Sequence, residues 1–292
     1  MTLSAPPSQS ASSAGGVLRV LSPADLADLR VLLRRDPDAY CVVEERVDMA
    51  GLEVATSGGQ TWGWYGSGGL ESAVYVGANL IPIETTDAAR DAFASRLARA
   101  GRRSSAIVGY QSEVIDLWDR LEPRWGPARE VRDNQPLMVQ DQKSLPITAD
   151  PDVRLVNIDE LDILLPASVA MFEEEVGVSP VSGGREASYR ARLGLTIRQG
   201  RAYARISNGE ILFKAEVGSV SSSSCQIQGV WVTPRLRGMG MAAPGIAAVV
   251  AAAMRQHAPR VTLYANRHYA AALHAYARVG FRQIGTFATI LF

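Results

Sequence analysis

Hydrophobic positions along this chain change period repeatedly, and each change marks an element. Ser22-Pro23 precedes Leu26, Leu29 and Leu33, which share one helical face. Serine suits an N-cap and proline a first turn, so a helix is predicted there. Strand-like runs follow at residues 61–65 and 73–83, separated by the glycines of 66–69. Ala89, Phe93 and Leu97 predict a helix over 87–100, stopped by Gly101. A short strand at 106–108, a helix over 114–121 ending before Pro123, and an extended stretch at 131–139 complete the first half.

Residues 141–151, DQKSLPITADP, are polar and punctuated by proline, and a domain boundary is placed there. Beyond it the pattern predicts a strand at 153–156, a helix over 159–174, a Gly/Ser/Pro loop at 177–184 and a helix over 186–197. Strands at 201–206 and 210–217 are joined by Asn208-Gly209, a strong hairpin signal. A strand at 226–232, a helix over 242–257, a strand at 261–265, a helix over 269–279 and an extended end at 282–292 follow. Both halves thus run helix, strands, helix, strand, helix, extended end. The expectation is a diverged duplication: a disordered tail over 1–16, an N-terminal domain over 17–140, a linker over 141–151 and a second domain over 152–292.

Composition narrows the function classes. The 292 residues suit about two domains, and 47% are apolar, enough for ordinary cores. Thirty basic residues balance thirty acidic ones, so no bulk field draws nucleic acid or an anionic membrane. No apolar stretch approaches the ~20 residues of a membrane span. Cys41 and Cys225 make neither a disulfide framework nor a metal-site spacing, which suits a reducing cytoplasm. His257, His268 and His274 share no ligand spacing, and no metal is expected.

The informative segment is 229–242, GVWVTPRLRGMGMA, where an apolar strand runs into a glycine-spaced turn and an alanine-rich helix. Such a turn aims backbone N–H groups and the positive end of a helix at one point, a ready anion site. The segment resembles the coenzyme A signature of the GCN5-related N-acetyltransferase (GNAT) superfamily, Gln/Arg-x-x-Gly-x-Gly/Ala, with Arg237, Gly240 and Ala242 in place. Arg235 with Gly238 and Gly240 matches the same expression two residues earlier. The later register is preferred because Val232-Thr-Pro234 then falls where the family has Val-x-Pro. Residues 263–281 resemble the second conserved block, with Asn266, Ala272, Tyr276, Gly280 and Phe281 at compatible spacing. Members often carry a second asparagine where this chain has Tyr269. The whole chain looks like an actinobacterial tandem type with a degenerate N-terminal copy, whose corresponding turn, 84–87, lacks the arginine and the glycines; no coenzyme A is expected there.

The resemblance implies two GNAT-like α/β domains in tandem, each a mostly antiparallel central sheet flanked by helices. It implies acetyl-CoA as co-substrate, held by Val230, Trp231, Val232, Arg237, Gly238, Met239, Gly240, Met241, Ala242, Asn266 and Tyr269. Acetyl would pass to a primary amine: a polyamine, an amino sugar, another small amine or a protein lysine. Oxyanion charge needs a fixed donor, expected from the Val230 or Trp231 N–H. Tyr276 is the candidate acid for the departing thiolate. The acceptor ammonium, with a pKa near ~10, needs a base. Gln226 and Gln228 cannot serve, so Glu216 is the first candidate, with pairing to Lys214 the competing reading. Glu174 and Glu175 are the second candidates and would line an acceptor pocket. A non-catalytic acyl-CoA-binding module or an interaction scaffold are the alternatives, and a homodimer is compatible with all three.

Overall fold

The computed structural model describes residues 16–53 and 58–292; of the tail expected over 1–16, only Gly16 lies among them. The N-terminal half contains β1 (Val17–Val20), α1 (Leu26–Leu33), α2 (Cys41–Ala50), β2 (Gln60–Gly66), β3 (Gly69–Val76) and β4 (Asn79–Ile83). It continues with α3 (Asp87–Ala100), β5 (Ala106–Tyr110), α4 (Gln111–Trp125) and β6 (Glu130–Gln140). The C-terminal half contains β7 (Val153–Leu155), α5 (Leu161–Val176), α6 (Glu186–Arg198), β8 (Ala202–Ser207), β9 (Glu210–Val220) and β10 (Ser224–Val232). It ends with α7 (Ala242–Gln256), β11 (Arg260–Tyr264), α8 (Ala270–Val279) and β12 (Arg282–Leu291).

Several local expectations shift. Ser22 caps a 3-10 turn, Pro23–Asp25, its N–H and hydroxyl both donating to Asp25 at 2.8 Å, and α1 starts only at Leu26. The apolar run at 73–83 is two strands, broken at Gly77-Ala78. Helix α4 continues through Pro123 to Trp125, because Trp118 and Trp125 pack at 5.5 and 5.6 Å against the Phe292 ring and hold its last turn. Strand β1 and helix α2 have no clear sequence signal. Cys41, Val43 and Val47 of α2 are buried under the sheet.

The larger surprise is that the two copies form one sheet of twelve strands, in the order β1-β2-β3-β4-β5-β12-β6-β11-β10-β9-β8-β7. Shifting every strand number by six reverses that order onto itself, so the halves are related by a pseudo-twofold through the middle of the sheet. Each half has given its last strand to the other. β12 lies between β5 and β6, and β6 lies between β12 and β11. The stretch at 282–292, expected to close the second domain, therefore completes the first.

The cores record the exchange. Phe287, Ala288 and Ile290 of β12 are buried among N-terminal residues, and Met138 of β6 is buried in the C-terminal core. Burying Phe287 and Ile290 is worth about 1.5–3 kcal/mol each. Polar groups pin the same seam. Asp38, buried, takes a forked bond from Arg260 and one from Ser224 Oγ at 2.9 Å, and Asp141 bridges Arg260 and Arg282. Pairing is antiparallel except for β4–β5 and β10–β11. Alone, neither half can fill its sheet. We expect one cooperative thermal transition for the whole chain, and loss of folding in both halves on deletion of residues 282–292. Two separable calorimetric transitions would contradict the interdependence.

Candidate active site

Parallel strands β10 and β11 pair only over Ser224–Gln226 against Arg260–Thr262. Past that point β10 runs on to Val232 without a partner on that side, and a wedge opens. A bulge sits at its mouth: Gln228 faces Glu216 and Trp231 faces Lys214, so β10 carries one residue more than β9. Gly229, at φ +59°, supplies the left-handed conformation, and a Cβ there would lie 3.2 Å from both Lys214 Nζ and Met171 Cε. A glycine inside a strand pattern is itself a bulge signal, one that could have been read from the sequence.

Lys214 and Glu216 are two residues apart on β9 and so share a face. Both are buried, with Nζ donating to Glu216 at 3.0 Å and to the Gly229 carbonyl at 3.1 Å. Burial alone would raise the Glu216 carboxyl; Lys214, with Arg192 and Gln228, outweighs it and holds the group below its usual range. The trans peptide puts the Val230 N–H on the side opposite that carbonyl, directed away from Lys214. The buried ion pair therefore fixes the orientation of this peptide.

The turn after β10 is built as its spacing requires. A 3-10 turn, Pro234–Leu236, leads to Gly238 at φ +77° and Gly240 at φ +81°, and α7 starts at Ala242. Three of the amides there bond within the turn: Leu236 to Thr233 O at 2.9 Å, Arg237 to Pro234 O at 3.2 Å and Met239 to Leu236 O at 3.4 Å. Those of Gly238, Gly240, Met241, Ala242 and Ala243 find no acceptor among the described residues. A Cβ on Gly238 or Gly240 would meet nothing, so the face of the turn is open. Free N–H groups, open space and a helix start fit a diphosphate. The Met239 side chain, 71% exposed, points outward.

The N-terminal copy differs at the equivalent place. After β4, Thr86 Oγ1 caps α3 through the Ala89 N–H at 3.2 Å, and the Thr85 N–H and hydroxyl both donate to Glu113. The chain's own buried carboxylate takes the position an outside anion would need.

Helix α5 ends beside the wedge of the C-terminal half. Glu174 makes a forked pair with Arg237 at 2.8 and 3.0 Å and accepts from Trp231 Nε1 at 3.2 Å. One expected acceptor-side residue and two expected cofactor-side residues thus meet. Glu175 turns the other way. Its surroundings push the carboxyl of this half-exposed side chain above the usual range, chiefly through partial loss of hydration, against the opposing charges of Arg132 and Lys214. The same carboxylate acts on Tyr264 and Tyr276. Burial first, then Glu175, raises the Tyr276 phenol, and burial chiefly raises that of Tyr264 to about 12, so both stay protonated at neutral pH. No partner for the Tyr276 hydroxyl exists among the described residues.

Asn266 is buried, and its side-chain oxygen accepts from Gln135 Nε2 at 2.8 Å, while Gln135 in turn accepts from Thr289 at 2.6 Å. Tyr269, 40% exposed, stands before α8 with its ring 4.3 Å from His268. Arg132 and Gln135 come from β6 of the other half, where no motif could have announced them. Burial pushes both thiols, Cys41 and Cys225, up to about 12, which leaves them uncharged and unreactive. Among the described residues no group of acidic, histidine or cysteine side chains is arranged to hold a metal, and no helix is long and apolar enough to cross a membrane.

The Lys214–Glu216 pair gives a stability test. Lys214→Met strands a buried carboxylate and should cost about 3–5 kcal/mol, whereas Lys214→Met with Glu216→Met should recover most of it. Denaturant unfolding of the single and double variants checks this; equal losses in both would show that the pair carries no such coupling.

Comparison with known proteins agrees with the geometry. Residues 197–281 match the GNAT acetyltransferase family, and residues 59–164 match a domain of unknown function (DUF4081). No curated protein matches the chain. Among solved structures it is similar to a GNAT-family acetyltransferase from Colwellia psychrerythraea (13% identity, 94% of this chain and 99% of that one, TM-score 0.56). It is also similar to a GCN5-related N-acetyltransferase from Sphaerobacter thermophilus (15%, 94% and 95%, TM-score 0.60). A third likeness is to a tandem GNAT protein from the clavulanic acid biosynthesis pathway (12%, 95% and 98%, TM-score 0.54). The chain therefore carries a domain at residues 197–281 that matches the GNAT family and, over its length, a fold similar to that of a tandem GNAT protein.

Proposed function

We propose that this protein is an acetyl-CoA-dependent N-acetyltransferase acting on a primary amine, with its reaction site in the C-terminal half. The observation that carries the reading is the cluster of unclaimed N–H groups on Gly238 and on Gly240 to Ala243, at the end of the strand that borders the wedge. These amides would hold the diphosphate of acetyl-CoA, which supplies an acetyl thioester as co-substrate. Asn266, through its amide N–H groups, and Tyr269 would meet the same molecule from the α8 side.

Within the wedge, Glu175 takes the proton of the acceptor ammonium, and the freed nitrogen attacks the thioester carbon. The Val230 N–H, oriented by Lys214, faces the negative charge that develops on the carbonyl oxygen. The carbon–sulfur bond then breaks, and Tyr276 gives its proton to the departing sulfur. Glu216 is committed to Lys214, so the base role passes to Glu175 and Glu216 keeps the ammonium in place. Glu174 adds a second negative charge at the α5 end, which favours a cationic acceptor.

Calorimetry with acetyl-CoA, followed by thiol release over a panel of polyamine, amino sugar, small amine and lysine peptide, tests the reading. No heat of binding removes it, and binding without turnover on any amine would leave an acyl-CoA-binding module. Tyr276→Phe should lower kcat on the order of 10²-fold with little change in acetyl-CoA affinity; an unaltered kcat takes Tyr276 out of the reaction. Because Glu175 must be ionised to accept the proton, kcat/KM should rise with pH through a group titrating above the ordinary glutamate value of ~4.3. Glu175→Gln should abolish that limb.

A further inference from the structure

The exchanged strand β6 and the residue just before it bring two arginines of the N-terminal half to the end of α5. Arg129 donates to the Val176 carbonyl at 2.8 Å and Arg132 to the Glu175 carbonyl at 2.6 Å. Cations are favoured there, because the last carbonyls of a helix lack partners and carry its negative end. The two arginines then differ. Arg132 is only 9% exposed and its fork is held by Glu130, through Nε at 2.8 Å and Nη2 at 3.1 Å. That leaves Nη1 4.0 Å from the Glu175 carboxylate, whose side chain is itself 51% exposed. Among the described residues no such contact joins Arg129 to a carboxylate. Glu130 and Arg132 share a strand face, so the fork is set before Glu175 meets it.

We infer that Arg132, carried across by β6, is a positioning residue for Glu175, so that the N-terminal half completes the reaction site of the C-terminal half. The inference rests on the reading of Glu175 as the group that receives the acceptor's proton. Two constraints act on the same residue. Its backbone is tied by the carbonyl bond, and its carboxylate lies within the field of a guanidinium that cannot deprotonate. Partial loss of hydration at this half-exposed side chain pushes the carboxyl up and Arg132 opposes it, which keeps the group ionisable where an acceptor amine must be deprotonated. The other groups facing Glu175 are Lys214 of β9, Tyr264 of β11 and Tyr276 of α8, while its neighbour Glu174 is occupied by Arg237 and Trp231. Lys214 is already committed to Glu216 and Gly229, so Arg132 is the cation whose removal leaves the rest of the wedge in place.

The test follows Glu175 directly. In the full chain with carbon-13-labelled glutamate, Glu175→Gln assigns the carboxyl signal, and its titration is compared among the unaltered protein, Arg132→Gln and Arg129→Gln. Removing the cation should raise the Glu175 titration by roughly one unit in Arg132→Gln. The acidic limb of kcat/KM should move up by the same amount. Arg129→Gln, which loses an equivalent helix-end bond, should leave both where they were. An unmoved titration in Arg132→Gln, or an equal displacement in Arg129→Gln, overturns the inference. Should Arg132→Gln fail to fold, Arg132→Lys decides: the charge persists but the fork is lost, so the titration should hold while kcat falls, and full turnover overturns positioning. If no amine is acylated at all, the proposed function falls, yet the carboxyl titration still reports whether Arg132 governs Glu175.

Discussion

A strand in the middle of a sheet needs a neighbour on each side, and this protein meets that need across its duplication. Each half lacks the strand that would follow β5 or β11 and receives it from the other. Hydrogen-bond pairing at the centre of the sheet, with Phe287, Ile290 and Met138 packed on either side, makes the copies mutually dependent. The buried cluster of Asp38, Arg260 and Ser224 adds direction to that seam. A buried carboxylate must find donors, and these donors lie in the opposite half.

The wedge follows from the same sheet. Two parallel strands that pair for only three residues leave an opening, and a bulge at Gly229 turns one peptide within it. A fully buried lysine would be costly in isolation. Paired with Glu216 and bonded to the Gly229 carbonyl, it becomes the group that fixes this peptide. The pseudo-twofold repeats the opening at β4–β5, but there the turn is closed by Glu113 and Thr86. One architecture thus holds two turns of opposite character, and only a few side chains separate them.

Much of the plan was readable along the chain. The Asn208-Gly209 hairpin, the helices at 87–100 and 186–197, and the glycine-spaced turn before Ala242 are set by local rules: left-handed glycines, caps and a 3.6-residue period. The shared element order of the halves also pointed to duplication. Reading failed where distant partners decide. Helix α2 has a weak apolar face and is held by contacts with both halves, and Pro123 stays helical because Phe292 packs nearby. The Glu216 carboxylate looked available until its face of β9 was seen to be sealed under α5.

The sequence by itself determined the family resemblance, the anion-ready turn and the identity of the tyrosine and carboxylates near it. These depend on residues close together in the chain, whose spacing fixes their geometry. Only the tertiary structure decided that β6 and β12 change places, that Glu216 is buried against Lys214 while Glu175 stays half exposed, and that Arg132 stands beside Glu175. Strand order and side-chain charge balance depend on residues more than a hundred positions apart, and no local pattern records which of them will become neighbours.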